Sequence, residues 1–361
     1  MRRLLVTGGA GFIGSNFVHY WLSTHPGDRL VVLDALTAAG NRNNLPAAEG
    51  HPEFRFVHGD IRDGDLVESL LLEERLDTIV HFAAESHVDR SIAGPDVFIE
   101  TNVMGTHELL KAARKVWIEE GRVENHHFHH VSTDEVFGSL EPGAAAFTEF
   151  ARYAPNSPYS ASKAASDHLV RAYYRTFGLR VTTSHCSNNY GPRQLPEKLI
   201  PLVIVNVLRG LPVPVYGDGR NVRDWLHVAD HCAGVDLVLA RGAIGEVYNI
   251  GGGCEVENLV LARRLCELMD AAFAGNRELA ARFPEAPPAQ GRESASLVTM
   301  VTDRAGHDRR YAIDCAKARR DLGYEARHSL SRGLAETVDW YLENESWWRD
   351  FLASRHADKA R

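Results

Sequence analysis

Along the first half of the chain, short runs rich in β-branched residues alternate with longer stretches whose apolar positions recur every third or fourth residue. The short runs are residues 4–7, 30–33, 54–57, 78–81, 128–132 and 181–185. Their continuous, β-branched character predicts strands buried on both faces. Between them, residues 63–74 place Leu66 with Leu70 and Val67 with Leu71 at i, i+4, which is one face of a helix. Strands alternating with helices predict βαβ units in an α/β fold, a Rossmann-type doubly wound parallel sheet. After about residue 187 the alternation loosens. Residues 198–209 read as a helix leading through Pro212 and Pro214 to the turn-rich Tyr216-Gly217-Asp218-Gly219. Residues 228–240 and 247–250 read as one more helix and strand returning to the sheet, and 251–352 as a smaller α+β portion. Within it, 272–296 carries three prolines and mixed charge and reads as a mobile surface insertion.

Composition narrows the classes. At 361 residues the chain exceeds what one hydrophobic core usually fills, which predicts two domains. Its 40 Lys and Arg against 48 Asp and Glu argue against nucleic acid as a partner. The longest apolar run, 200–208, contains Asn206 and is too short to span a membrane. Arg2 and Arg3 precede an apolar stretch that breaks at once on Gly8 and Gly9, so no export signal is expected. Five cysteines without a C-x-x-C pair predict a reduced, cytoplasmic setting with neither a disulfide framework nor a four-cysteine zinc site.

The first strand runs straight into Gly8-Gly9-Ala10-Gly11-Phe12-Ile13-Gly14, with a helical pattern behind it. Glycines at these spacings allow a tight turn, close approach of a pyrophosphate, and packing of helix on strand, while the helix N-terminus offers free N–H groups. Asp34 lies twenty residues beyond Gly14, at the end of the next strand. It suits the ribose diol of an adenosine and would repel a 2′-phosphate. Ala35 and Leu36 supply no cation to hold one, so NAD is favoured over NADP. The chain therefore divides into a dinucleotide-binding domain, 1–187 with 226–250 returning to it, a substrate domain, 188–225 and 251–352, and a tail, 353–361.

Two further patterns point at the strand ends. Tyr159 and Lys163 form Y-x-x-x-K at i, i+4 on one helix face, and a neighbouring ammonium lowers the pKa of a phenol that is otherwise a poor base. Ser132-Thr133-Asp134-Glu135 closes the strand at 128–132, where ligands of open parallel sheets bind. Two carboxyl groups whose environments separate their pKa values serve as an acid and a base together. The run His126-His127-Phe128-His129-His130 alternates across a strand and cannot converge on one ion, so no metal is expected.

Taken together, these residues resemble the extended short-chain dehydrogenase/reductases, and within them the nucleoside-diphosphate-glucose 4,6-dehydratases. The resemblance covers nearly the whole chain. It runs through the glycine loop, residues 81–91 (HFAAESHVDRS), Val131-Ser-Thr-Asp-Glu-Val-Phe-Gly138, Pro158-Tyr-Ser-Ala-Ser-Lys163, Ser187-Asn-Asn-Tyr-Gly-Pro192, Gly219-Arg-Asn-Val-Arg-Asp-Trp225 and Gly306-His-Asp-Arg-Arg-Tyr311. The Asp134-Glu135 pair discriminates most, since the related epimerases carry small or hydroxyl residues there.

The resemblance implies dehydration of a nucleoside-diphosphate glucose, dTDP-glucose foremost, by C4 oxidation, loss of water across C5 and C6, and hydride return to C6. It makes Tyr159 the base at the 4-hydroxyl, assisted by Lys163 and Thr133, with Glu135 the base at C5 and Asp134 the acid at C6. NAD would remain bound through turnover, held by Gly8, Gly11, Phe12, Ile13, Gly14, Asp34, Asp60, Ile61, Ala83, Ser132, Tyr159 and Lys163. Ser86, Asn188, Arg193, Lys198, Tyr216, Arg223, Asn258 and Arg304 would contact the sugar nucleotide. Asp60 also reads as a helix cap. Two positions depart from the family pattern: Ala38 replaces a usual Tyr, loosening the adenosine site, and Ala305 replaces a usual Pro, freeing the loop that carries Arg304. The runs 95–117 and 159–177 carry more apolar surface than one sheet face needs, and the family pairs such helices in a homodimer. A UDP-sugar 4-epimerase or UDP-glucuronate decarboxylase is the rival enzyme reading, opposed by Asp134-Glu135. An NAD-sensing binding protein is the rival outside enzymes, opposed by the intact Tyr159 and Lys163.

Overall fold

The computed structural model describes residues 1–359. Its larger sheet uses β1 (Arg3–Thr7), β2 (Arg29–Asp34), β3 (Phe54–His58), β4 (Thr78–His81), β5 (His127–Thr133) and β6 (Val181–Cys186). Three strands then leave it, β7 (Asn188–Tyr190), β8 (Val213–Tyr216) and β9 (Val222–His227), before β10 (Val247–Ile250) returns beside β6. The order is β10-β6-β5-β4-β1-β2-β3 and every pairing is parallel. Alternation along β1 shows why the strands read as apolar throughout. Leu4 and Val6 pack on one face with Phe17, Trp21 and Val235, whereas Leu5 packs on the other with Val67, Leu109 and Val170. This is the doubly wound α/β sheet that the sequence predicts, and the strand order reverses between β1 and β4, the usual place for a ligand crevice.

Helices α1 (Phe12–Thr24) and α8 (Val228–Arg241) cover the first face. On the second lie α2 (Gly64–Glu73), α5 (Thr106–Ala113) and α6 (Pro158–Phe177). The short helices α3 (Val88–Ala93) and α4 (Asp96–Phe98) precede α5, and π-helical segments Ile99–Gly105 and Arg114–Glu119 flank it. The smaller portion packs α7 (Leu199–Leu208), α9 (Asn258–Gly275) and α12 (Leu330–Glu343) around one core, with Val203, Ile204, Leu261, Leu265, Leu334 and Val338 at its centre. Two small sheets complete it: β11 (Glu255–Glu257) beside β9, which also pairs with β7, and β12 (Val298–Val301) beside β8.

Three expectations change. Residues 272–296 are not a loose surface insertion: α9 continues to Gly275, α10 (Glu278–Arg282) follows, and Leu279 and Phe283 are buried in the core. An i, i+4 apolar pair does this inside a composition dominated by Ala, Pro and charge. Helix α11 (Ala316–Leu322) and its flanks do not sit with the smaller core. Ile313, Ala318, Leu322 and Tyr324 pack against Tyr248, Ile250 and Val238 of the larger sheet's edge. Finally, the tail expected from residue 353 is still helix, because α13 (Glu345–Lys359), anchored by buried Trp347 and Trp348, runs through it; residues 360 and 361 lie outside the described residues.

Candidate active site

A cavity of about 320 Å³ opens at the carboxyl ends of β1, β2, β4, β5 and β6. One end is made almost entirely of backbone. Gly8 takes a left-handed φ of 69°, and a Cβ there would lie 2.6 Å from the Ala83 nitrogen. At Gly14 a Cβ would come 2.2 Å from the Gly8 carbonyl oxygen, so helix and strand could not approach as they do. Gly11 stands at the N-cap of α1 without a side chain to satisfy the first N–H groups, and it lines the cavity with Phe12, Ile13 and Gly14. Unclaimed donors at a helix N-terminus suit a pyrophosphate.

Asp34 ends β2 with both oxygens engaged, Oδ2 accepting from the Ala10 N–H at 2.8 Å and Oδ1 from the Leu36 N–H at 2.8 Å. Burial raises its pKa against those bonds. Asp60 is not the cap of α2, a task done by Asp63, which accepts from the Leu66 N–H. Instead Asp60 is clamped by Arg62, whose N–H and Nη2 each donate to it at 2.8 Å, and Asp60, Ile61, Ala83 and Ser132 all border the cavity. The glycine cradle, the open helix terminus and Asp34 fit a dinucleotide such as NAD.

The other end is made of buried charge. Thr133, Asp134 and Glu135 follow directly from β5, where Thr133 caps a 3₁₀ turn by accepting from the Glu135 N–H at 3.3 Å. Facing them, α6 starts on a capping box between Ser157 and Ser160 with Pro158 in its first turn, and this sets Tyr159 and Lys163 on the cavity side. Thr133 stands beside Tyr159. The expected lowering of the Tyr159 pKa is absent. Burial, with Glu135 next, pushes the phenol well above its usual range, and Lys163 Nζ donates at 2.9 Å to the Val131 carbonyl.

The two carboxyl groups differ in the way an acid and a base should. Burial raises Asp134 well above the ordinary range, and the Glu135 and Asp224 charges add to it. Burial raises Glu135 too, but Arg304, Arg223 and Lys198 oppose that. Asp134 Oδ2 is buried with no hydrogen-bond partner.

Around Glu135, Arg223 is fixed by donating to the Asp308 and Val222 carbonyls and lies 4.2 Å over the Tyr311 ring. Lys198 Nζ donates to the Ser86 carbonyl at 2.9 Å, and both residues line the cavity with Asn188. Arg304 Nη1 and the Tyr216 hydroxyl both reach Asp89, each at 3.3 Å. The Asn188 and Asn258 side-chain oxygens and Arg304 Nε are buried without partners. The loop that Ala305 was expected to free is tied down, since His307 Nδ1 lies 2.6 Å from Asp303 Oδ1 and Arg304 pairs with Asp89. Arg193, like Tyr216, Arg223, Asn258 and Arg304, is not among the residues that border this cavity; its backbone has a left-handed φ of 68° and its Nη1 donates to Asn16 Oδ1 on α1 at 3.4 Å.

Sequence reading missed three contributors. Asn102, in the first π-helical segment, accepts from the Glu85 N–H and donates to Ser162 Oγ, joining the β4 loop to α6. Asp89 holds two substrate-side groups at once. Asp167, one turn beyond Lys163, gathers Ser132, Tyr153, His130 and His185. Only Asp167 had a signal, its i, i+4 spacing from Lys163. In the histidine run, His127 and His129 turn to Thr182 while His130 faces Asp167. His227, His328 and Glu336 come within 4.8 Å of one another, but the imidazoles stack at 4.1 Å, so their lone pairs run side by side rather than meeting at an ion.

Sheet order, glycine cradle and the facing Tyr–Lys and Asp–Glu pairs define a Rossmann-type enzyme site. A family model described as GDP-mannose 4,6 dehydratase matches residues 5–337. The chain is 54% identical over 355 residues to a dTDP-glucose 4,6-dehydratase of Xanthomonas campestris pv. campestris strain B100, covering 98% of this chain and 96% of that one. DesIV, a dTDP-glucose 4,6-dehydratase from Streptomyces venezuelae crystallised with NAD, superposes with a TM-score of 0.86 at 50% identity, covering 97% and 99%. A UDP-glucose 4-epimerase from Thermotoga maritima is more distant, with a TM-score of 0.79 at 27% identity over 95% and 99%. The chain belongs to the dTDP-glucose 4,6-dehydratases, within the family that the matching model describes.

Proposed function

We propose that the protein dehydrates dTDP-glucose to dTDP-4-keto-6-deoxyglucose. The observation that carries this is the Asp134-Glu135 pair at the end of β5, facing Tyr159 across the cavity: burial raises both carboxyls, Asp134 well above the ordinary range with the Glu135 charge adding to it, whereas Arg304, Arg223 and Lys198 oppose the rise at Glu135. NAD, when bound, supplies the acceptor for the C4 hydride and the donor that returns it to C6. Tyr159 takes the proton of the 4-hydroxyl, with Thr133 polarising the same oxygen. The C4 ketone acidifies the C5 hydrogen enough for Glu135 to remove it, while Asp134 gives its proton to the departing C6 hydroxyl. Gly8, Gly11, Phe12, Ile13 and Gly14 would hold the pyrophosphate, Asp34 the ribose diol, Asp60 and Ile61 the adenine side, and Lys163 the nicotinamide ribose. Asn188, Arg223, Asn258 and Arg304 suit the sugar nucleotide's diphosphate, with Ser86 and Lys198 on the sugar side and Tyr216 beside the base.

The sheet portion is read as the cofactor domain and 188–225 with most of 251–352 as the substrate domain. Ile92, Val97, Ile99 and Met104 are all more than 40% exposed around the π-helical segment, which supports a homodimer through this face; light scattering at micromolar concentration would return a monomer if that reading is wrong. The five free cysteines support a reducing, cytoplasmic setting, and among the described residues no helix is long and apolar enough to cross a membrane. The test is incubation of the purified protein with dTDP-glucose, followed by the alkali-induced absorbance of a 4-keto-6-deoxy sugar. UDP-, CDP- and GDP-glucose in parallel decide the base. No absorbance with any of the four refutes the reading.

A further inference from the structure

Behind the cavity wall, the end of β5 is tied to α6 by three successive rungs. Val131 offers its carbonyl to Lys163 Nζ at 2.9 Å, the Ser132 hydroxyl donates to Asp167 Oδ2 at 3.0 Å, and Thr133 stands beside Tyr159. On the helix these partners are Tyr159, Lys163 and Asp167, spaced i, i+4, i+8 on one buried face. The outer two rungs meet groups that face substrate and cofactor, whereas the middle one ends on a carboxylate that reaches neither.

Asp167 is 5% exposed and accepts from three donors. Its Oδ2 accepts from Ser132, from the Tyr153 hydroxyl at 3.0 Å and from His185 Nε2 at 3.0 Å. His185 Nε2 must carry the proton, because its neighbours are this carboxylate and a phenol that gives its own hydrogen to the carboxylate. His130 Nε2 stands 3.0 Å from Oδ1, off the line of a hydrogen bond. The titratable groups facing Asp167 are thus Lys163 on its own helix, His130 on β5 and His185 on β6. Lys163 in turn has His81, His130 and Cys186 near it. His130 and His185 are fully buried and burial lowers the His130 pKa, while Lys163, four residues earlier on α6, is the cation whose charge Asp167 favours.

We propose that Asp167 is a positioning residue for the dehydration: through Ser132 it fixes the strand end bearing Asp134 and Glu135 against α6, and it supplies the buried negative charge that keeps Lys163 an ammonium ion one turn from Tyr159. Ser132 then acts through Asp167 and not through the cofactor alone. The role rests on the function proposed above, but its first test does not.

Asp167→Asn keeps the shape and removes the charge. In the full-length protein as purified, with lysine side chains isotope-labelled, the Lys163 titration followed by NMR should move to lower pH by about one unit or more. The basic limb of the kcat profile for dTDP-glucose should move down with it, while the KM changes far less. A Lys163 midpoint that stays put, with activity lost equally at every pH, overturns the proposal and leaves Asp167 a merely structural residue. If Asn at 167 prevents folding, Ser132→Ala and His185→Gln each loosen the carboxylate and should shift the same limb in the same direction by less; no shift in either overturns it. A parent protein that leaves dTDP-glucose unchanged defeats the proposed function, yet the Lys163 titration still decides the role of Asp167.

Discussion

The two ends of the cavity are built from different materials. At the cofactor end the glycine loop works through what is missing, because each absent Cβ leaves room for Gly8, Gly14 and Ala83 to close on one another and leaves the α1 N–H groups free. At the catalytic end the site works through side chains removed from water, where Asp134, Glu135, Lys163, Asp167 and Arg223 hold one another's charge states. Steric sites of the first kind fail abruptly when an atom is added. Electrostatic sites of the second kind respond to pH and to charge removal, often with the fold intact.

The largest expected effect tests the catalytic end. Glu135→Gln should cut turnover of dTDP-glucose by about 10²–10⁴-fold, the usual worth of a general base, while C4 oxidation still proceeds and the NADH absorbance band builds on the protein. Product at the parent rate would remove Glu135 from that role. Next comes the cofactor end. Gly14→Ala places a methyl 2.2 Å from the Gly8 carbonyl and should lower stability by roughly 1–3 kcal/mol, seen as a thermal midpoint down by several degrees and loss of bound NAD. Gly94→Ala meets nothing within 4 Å and should leave both unchanged. A third effect is a slope with pH. Burial lowers His127, His130 and His227 from 6.5 to about 4, and His231 to about 3. Below pH 6.5 the unfolded chain takes up protons that these buried rings refuse, so their stabilisation is complete above that pH and is lost progressively toward pH 4. Thermal midpoints measured from pH 8 to pH 4 should hold steady and then fall; a flat profile would mean the rings are protonated in the fold.

This contrast also explains what could be read from the residues alone. The glycine loop and Asp34 were legible because backbone geometry restricts which residue types can stand there. Tyr159, Lys163, Asp134 and Glu135 were legible as a spacing and a strand end. The direction of the Tyr159 pKa was not, because it depends on burial and on Glu135, which is 24 residues away in sequence. Asp89, Asn102 and the Asp167 cluster were hidden for the same reason: their partners come from distant elements, and a π-helical segment breaks the 3.6-residue period around Asn102. The contact of Arg193 with Asn16 leaves no mark on residue type either. Residues 272–296 misled because prolines and charges outnumbered the two buried side chains, Leu279 and Phe283, that anchor them.

In the proposed redox cycle one hydride leaves C4 and comes back at C6 of the same sugar. Conversion of dTDP-glucose deuterated at C4, with the product read by NMR and mass spectrometry, follows that hydride. Deuterium recovered in the C6 methyl group of a 4-keto product, without NADH release, is the predicted result. Deuterium returned to C4 of an epimerised sugar, or lost together with stoichiometric NADH, would contradict it.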